Sequence, residues 1–244
     1  MTDAKKNIIL ALQKNMLVLQ GIKSQSVNER IKLGCHQLEN AFPNACFPTG
    51  AVHEFLSSAQ EEAASASGFI SCLLSKLMQK GGACIWIGVS RTLFPAALPK
   101  FGVEPDQIIF IDLKQEKDVL WAMEEALKCD KLAAVIGEVK NINLTASRRL
   151  QLATEQSKVT GFILRHQPKN LNPLACVARW RITSLPSESE DGMPGVGFPR
   201  WNVELLKIRN GKPGTWQIQW SSKGFTEIKE HIILLPQEER RKTG

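Results

Sequence analysis

The stretch Gly50-Ala51-Val52-His53-Glu54-Phe55-Leu56-Ser57-Ser58-Ala59-Gln60-Glu61-Glu62-Ala63-Ala64-Ser65-Ala66-Ser67-Gly68 decides the fold. Its first half reads as a short buried strand after a Pro48-Thr49-Gly50 turn. A helix-forming run follows, Glu61 to Lys80, and then a second apolar strand, Ala83 to Ile87. In this strand–loop–helix–strand order a phosphate-cradling loop carries G-x-x-x-x-G-K-[ST], with backbone N–H groups around the phosphates and a Lys to neutralise them. Here the connection has one Gly, no Lys and two carboxylates. No Lys or Arg occurs from Leu33 to Ser75. Two negative charges beside a triphosphate repel it. The pattern is that of a nucleotide-binding fold without its nucleotide chemistry.

Outward from this stretch, strands and helices alternate. Helix Leu93–Phe101 ends at Gly102, and strand Gln107–Asp112 is followed by helix Lys117–Cys129. Strand Leu132–Ile136 leads to a helix from Ala146 to Ser157 with Thr145 as its N-cap, and then to strand Thr160–Arg165. Such alternation predicts a parallel sheet covered on both faces. After Pro173 the pattern changes to three strand-like runs, Ala178–Ser184, Asn202–Arg209 and Thr215–Trp220. Asn210-Gly211-Lys212-Pro213-Gly214 makes the last two a hairpin. Ser187–Pro199 reads as a loop and Glu238–Gly244 as a charged tail. Near the N-terminus, Ala4–Gln20 reads as an amphipathic helix with Ile8, Leu12, Met16 and Leu19 on one face. Ile22–Asn28 reads as a linker and Glu29–Leu38 as a second short helix. The expected organisation is an arm and linker over 1–46, a core over 47–222 and a tail over 223–244.

The chain has 244 residues, 43% of them hydrophobic. That is enough for one domain burying roughly 70% of its unfolded surface. No apolar run reaches the ~18 residues of a membrane span, and no secretory cleavage site is evident. The six cysteines (35, 46, 72, 84, 129, 176) form no C-x-x-C, so reduced, mostly buried thiols in a cytoplasmic protein are expected. His36, His53, His166 and His231 are isolated, which gives no zinc-ligand pattern. The net charge of +7 is uneven. Residues 138–244 hold seventeen basic and ten acidic side chains; residues 51–137 hold eight and eleven. A basic second half suits nucleic acid or an acidic partner, and is equally common on ordinary soluble surfaces.

The α/β order, the mostly parallel core and the C-terminal antiparallel hairpin together resemble the RecA-like fold. Pro48-x-Gly50-x-Val52-x-Glu54 and Leu93-Phe94-Pro95 to Phe101-Gly102-Val103-Glu104 carry that likeness. More specifically, the chain resembles the ImuA family of bacterial RecA-like mutagenesis proteins. The matching segments are Leu120–Leu127, Leu144–Ala153, Ala178-Arg179-Trp180-Arg181 and Gly197-Phe198-Pro199-Arg200-Trp201. The resemblance implies a role in damage-induced (SOS) translesion synthesis. Its implied partners are ImuB, a polymerase-like protein without catalysis, and an alternative replicative-type DNA polymerase. It also implies which RecA positions to check. The phosphate-loop Lys has no counterpart over Glu61–Gly68; the catalytic Glu maps onto Ser90; the acid ending the fourth strand maps near Gly137, with Glu138 beside it. The expectation is therefore no enzyme activity, no cofactor and no metal.

Candidate surfaces remain. The RecA loops that hold DNA follow the fourth and fifth strands, and here Lys140, Arg165, Lys169, Arg179 and Arg181 cluster around them in sequence. Cations interleaved with an aromatic suit weak, sequence-neutral binding of single-stranded DNA. Strand alternation points Trp180 and Ile182 to the core and the arginines to water. Arg148 and Arg149 open a helix, where the dipole disfavours cations; they read as a partner contact or a solvated face. Arg200-Trp201 reads as an interface anchor or a strand start. The Ile8/Leu12/Met16/Leu19 stripe either caps its own sheet or docks on another chain, a second copy or RecA. Two other functions stay open: a SulA-like cell-division inhibitor and a divergent RecA-like ATPase.

Overall fold

The computed structural model describes residues 31–90, 93–187, 197–221 and 223–228. The predicted N-terminal helix with its stripe, most of the Ser187–Pro199 loop and the Glu238–Gly244 tail lie outside the described residues. Among the described residues nine strands form one sheet, in the order β3-β2-β4-β5-β1-β6-β7-β8-β9. They are β1 (Val52–Ser57), β2 (Ala83–Gly88), β3 (Ile108–Asp112), β4 (Leu132–Val139), β5 (Thr160–His166), β6 (Ala178–Leu185), β7 (Arg200–Ile208), β8 (Gly214–Ser221) and β9 (Gly224–Glu227). Pairing is parallel from β3 through β1 to β6 and antiparallel from β6 to β9. The α/β, mostly parallel sheet with a C-terminal antiparallel hairpin is as the sequence predicts.

Among the described residues four α-helices accompany the sheet: α1 (His36–Glu39), α2 (Gln60–Leu77), α3 (Glu116–Leu127) and α4 (Leu144–Ser157). One face of the sheet packs on α2 through Phe55, Phe69, Phe162, Trp180 and Trp201. The other face packs on α3 and α4 through Val52, Val119, Met123, Val135 and Leu150. All six residues of β1 are buried. A central parallel strand covered on both faces has this character. Among the described residues no helix is long and apolar enough to cross a membrane.

Several elements differ from the sequence reading. The helix expected over Glu29–Leu38 is only α1. Gly34 has φ +94, outside the helical range, and the Leu33 and Gly34 N–H groups donate to the Glu39 carboxylate instead. Residues 33–47 pack Leu33, Leu38, Phe42 and Phe47 into the core, so this stretch is not an arm. The run Pro95–Phe101 is a 3-10 helix: Pro99 in its interior lacks the N–H that an α-helix would pair with the Pro95 carbonyl. Asn143, not Thr145, caps α4: its Oδ1 accepts from the Ala146 N–H at 2.8 Å. Beyond residue 222, β9 continues the sheet and buries Phe225.

Candidate functional site: a closed cradle and an amide-lined cleft

Only Ser58 and Ala59 separate β1 from α2. No loop is left to wrap a phosphate, and Gly68 lies inside α2. The positive end of α2 already has an anion: Glu61 and Glu62 occupy its first turn. Glu62 Oε2 accepts from the Ser58 N–H at 2.7 Å and from Ser58 Oγ at 2.8 Å. The chain's own carboxylate thus sits where a phosphate loop would bind its ligand.

The remaining RecA positions are equally altered. Ser90 is exposed just beyond β2. At Gly137 a β-carbon would lie 2.7 Å from Met123 Sδ, so an α3 side chain occupies the space that an acid's side chain would take. Glu138 is buried; its Oε1 accepts from Trp86 Nε1 at 2.6 Å and its Oε2 lies 3.5 Å from His166 Nε2. That distance is too long for a hydrogen bond from a neutral imidazole and becomes an ion pair only when His166 is protonated. Ser57 Oγ lies 3.1 Å from His166 Nδ1 and 3.2 Å from the Arg165 carbonyl. A hollow of about 300 Å³ flanks this end of β1, lined by Leu56, Ser57, Ser58, Gln167, Pro168, Leu171 and Arg181.

The predicted cation cluster divides. Arg165 and Glu54 are each 1% exposed. Arg165 Nη1 donates to Glu54 Oε1 at 2.8 Å, Nη2 to the Asn170 carbonyl at 2.9 Å and Nε to the Lys140 carbonyl at 3.4 Å. From the other side, Arg179 Nε donates to Glu54 Oε2 at 2.6 Å and Nη2 to the Asn172 carbonyl at 2.9 Å. Glu54 on β1 therefore bridges β5 and β6, its neighbours in the sheet. Buried charges survive only when paired and fully hydrogen-bonded, and here both carboxylate oxygens have a guanidinium. Arg165 and Arg179 are thus internal struts, not a DNA-facing surface. Lys140 and Lys169 are exposed, and Arg181 is half-exposed, 3.6 Å from Glu204. Arg148 faces solvent, whereas Arg149 pairs with Glu124 at 2.7 Å and ties α4 to α3.

The aromatic candidates belong to the core. Trp180 is fully buried, as alternation predicts, and stacks on Phe55 at 5.8 Å. Trp201 is no interface anchor: it is buried edge-on to Phe69 at 5.9 Å, while Arg200 is half-buried beside it. Beneath them, His53 Nε2 donates to the Pro48 carbonyl at 2.7 Å and Nδ1 accepts from Trp180 Nε1 at 3.3 Å. The carbonyl can only accept, which fixes the proton on Nε2. Burial holds the imidazole down to about 4, so it is neutral.

Sequence reasoning missed Glu54 and four asparagines. A carboxylate inside the otherwise apolar run Val52–Leu56 was a usable signal, since a buried charge demands a partner. The asparagines gave none, because they come from two separate loops. With Arg165 as the floor and Leu120 and Ile142 as walls, Asn141, Asn143, Asn170 and Asn172 line a cleft of about 340 Å³.

No protein-family model matches the chain. Two curated relatives do, both Protein ImuA, from the NA1000/CB15N and ATCC 19089 strains of Caulobacter vibrioides. Each is 32% identical over 231 residues, spanning 86% of this chain and 95% of the relative. Among solved structures, the RadB recombinase superposes with a TM-score of 0.55 at 13% identity, covering 82% of this chain and all of that one. A KaiC-like protein of Pyrococcus horikoshii gives 0.55 at 11%, over 82% and 99%. These two show the RecA-like fold. Similarity to the curated relatives over 86% of this chain shows more: the chain belongs to the ImuA family.

Proposed function

We propose that the chain is a non-catalytic accessory protein of damage-induced mutagenesis in bacteria. It holds an ImuB-like protein and an alternative replicative-type DNA polymerase together for translesion synthesis. Family membership supports the process. One observation supports the absence of nucleotide chemistry: Glu61 and Glu62 put two negative charges in the first turn of the helix whose N-terminus phosphates would need. A scaffold needs surfaces and not turnover, and the fold keeps its packed sheet while its cradle is closed.

Affinity capture of the full chain from DNA-damaged cells tests this. The expected result is co-purification of both the ImuB-like protein and the polymerase, unchanged when ATP is depleted. Capture of neither, or capture that needs ATP hydrolysis, contradicts it. Capture of the tubulin-like division protein, with filamentation on overexpression, would assign the SulA-like function instead.

A further inference from the structure

The outer surface of α3 and α4 carries two bulky apolar side chains in the open, Trp121 at 64% exposed and Leu152 at 58%. Trp and Arg are the commonest interface anchors. Arg148 stands one turn before Leu152, exposed and without an ion pair among the described residues. Both helices link one parallel strand to the next on the same side of the sheet, so they run in the same direction. The Arg149–Glu124 bridge at 2.7 Å sets their relative height: Glu124 of α3 is roughly level with Arg149 of α4. At the common rise of about 1.5 Å per residue, Trp121 is then level with Ala146, Glu125 with Leu150 and Lys128 with Ala153. The two helices also differ in charge. Glu116–Leu127 holds four acids and one base, whereas Leu144–Ser157 holds two arginines and one acid.

We propose that this face pairs with a second copy of the chain, across a two-fold axis lying along the groove between α3 and α4. Such an axis lays α3 of each copy on α4 of the other at unchanged height. Trp121 then meets Arg148 of the second copy, ring against guanidinium. Glu125 falls between Arg148 and Leu152 of that copy, and Lys128 between Leu152 and Glu155. An acid-rich helix thus meets an arginine-bearing one twice. The other two-fold, across the helices, would lay acid-rich α3 on itself. Glu125 now pairs with Lys128 at 2.6 Å, but both are half exposed, and such a contact holds little energy. The described residues nearest the chain ends lie elsewhere: Ile31 packs on the α2 side, and β9 is the sheet edge opposite β3. The helices have 12 and 14 residues, so the face measures roughly 20 Å each way. That is the lower end of specific interfaces, and a micromolar dimer is expected. The N-terminal stripe and the translesion partners take no part, so the pairing goes beyond the scaffold reading.

Sedimentation velocity of the purified full chain across the micromolar range tests this. The wild type should pass from monomer to dimer. Trp121→Ala should raise the dimer Kd about tenfold. Arg148→Glu and Glu125→Arg, each alone, should do at least as much, because each sets like charges together in both contacts. Melting temperatures should hold, since all three side chains are exposed. A mixture of the Arg148→Glu and Glu125→Arg chains decides the geometry. In their heterodimer each α3–α4 contact again joins an acid to a cation. It should form near the wild-type Kd, although neither variant pairs with itself. A wild-type chain that stays monomeric throughout overturns the proposal. So does a dimer that survives Trp121→Ala and both reversals, and so does a dimer lost in both single variants and not regained in their mixture. No partner protein enters the experiment, so its failure leaves the scaffold reading untouched.

Discussion

Glu54 shows what a single residue does at the centre of this sheet. Its carboxylate joins three strands, and its loss leaves two guanidinium groups without their anion. Breaking such a buried network costs about 3–5 kcal/mol. Glu54→Gln should lower urea stability by that order; a change under about 1 kcal/mol would show that the network contributes little. Glu54→Leu with Arg165→Met and Arg179→Met should recover part of the loss, because packed apolar side chains avoid the desolvation cost. His53 makes a second prediction. Its folded pKa of about 4 lies below the ordinary 6.5, so below pH 6.5 the unfolded chain takes a proton that the folded chain refuses. Stability is full above pH 6.5 and falls as pH drops toward 4, by about 3 kcal/mol for this group. Thermal melts across that window should show the slope, and His53→Gln should flatten it. At this scale the sequence was half legible. Alternation placed Trp180 correctly and sent Arg179 to the opposite face, but period two names a face without saying whether something covers it. Near β1 that face is covered.

Among the elements, α2 carries the proposed loss of nucleotide binding. Glu62, in its first turn, reaches back to Ser58, the residue before the N-cap Ala59. Glu62→Ala should cost about 1 kcal/mol in denaturant unfolding, and should not confer ATP binding, because neither a loop nor a Lys is restored. Recovery of micromolar ATP binding by that one change would mean the cradle is merely occluded. The missing Lys and the two carboxylates were legible from the residues alone. The two-residue turn of Ser58 and Ala59 was not, since Ser and Ala suit loop and helix alike. For α4, Thr145 is a good cap by type, but Asn143 is a better one and stands first. The N-terminal stripe of Ile8, Leu12, Met16 and Leu19 remains a proposal: it docks on another chain, a second copy or RecA. Burying four such side chains contributes about 6–10 kcal/mol before association costs. Deleting residues 1–21 should abolish association and leave a folded core. A truncated chain that unfolds places the stripe in its own core, and one that keeps every partner excludes it as the docking element.

Across the whole molecule, the order of strands and helices made the α/β class and the parallel core readable, because alternation constrains the connections. Strand β9 was not readable: Gly224-Phe225-Thr226-Glu227 is too short to show alternation, and its place is set by pairing with β8. The candidate site was less legible than the fold. Of its cations only Arg165 and Arg179 meet at one partner, and whether they face water or that partner depends on Glu54, a carboxylate more than a hundred residues earlier in the chain. The whole account turns on a RecA-like body whose phosphate end is closed. Calorimetric titration with ATP and Mg²⁺, set beside adenosine, tests that most directly. The account predicts that ATP binds no tighter than adenosine, because the phosphates find no cradle. Micromolar ATP binding, about −8 kcal/mol, with adenosine far weaker, would contradict it.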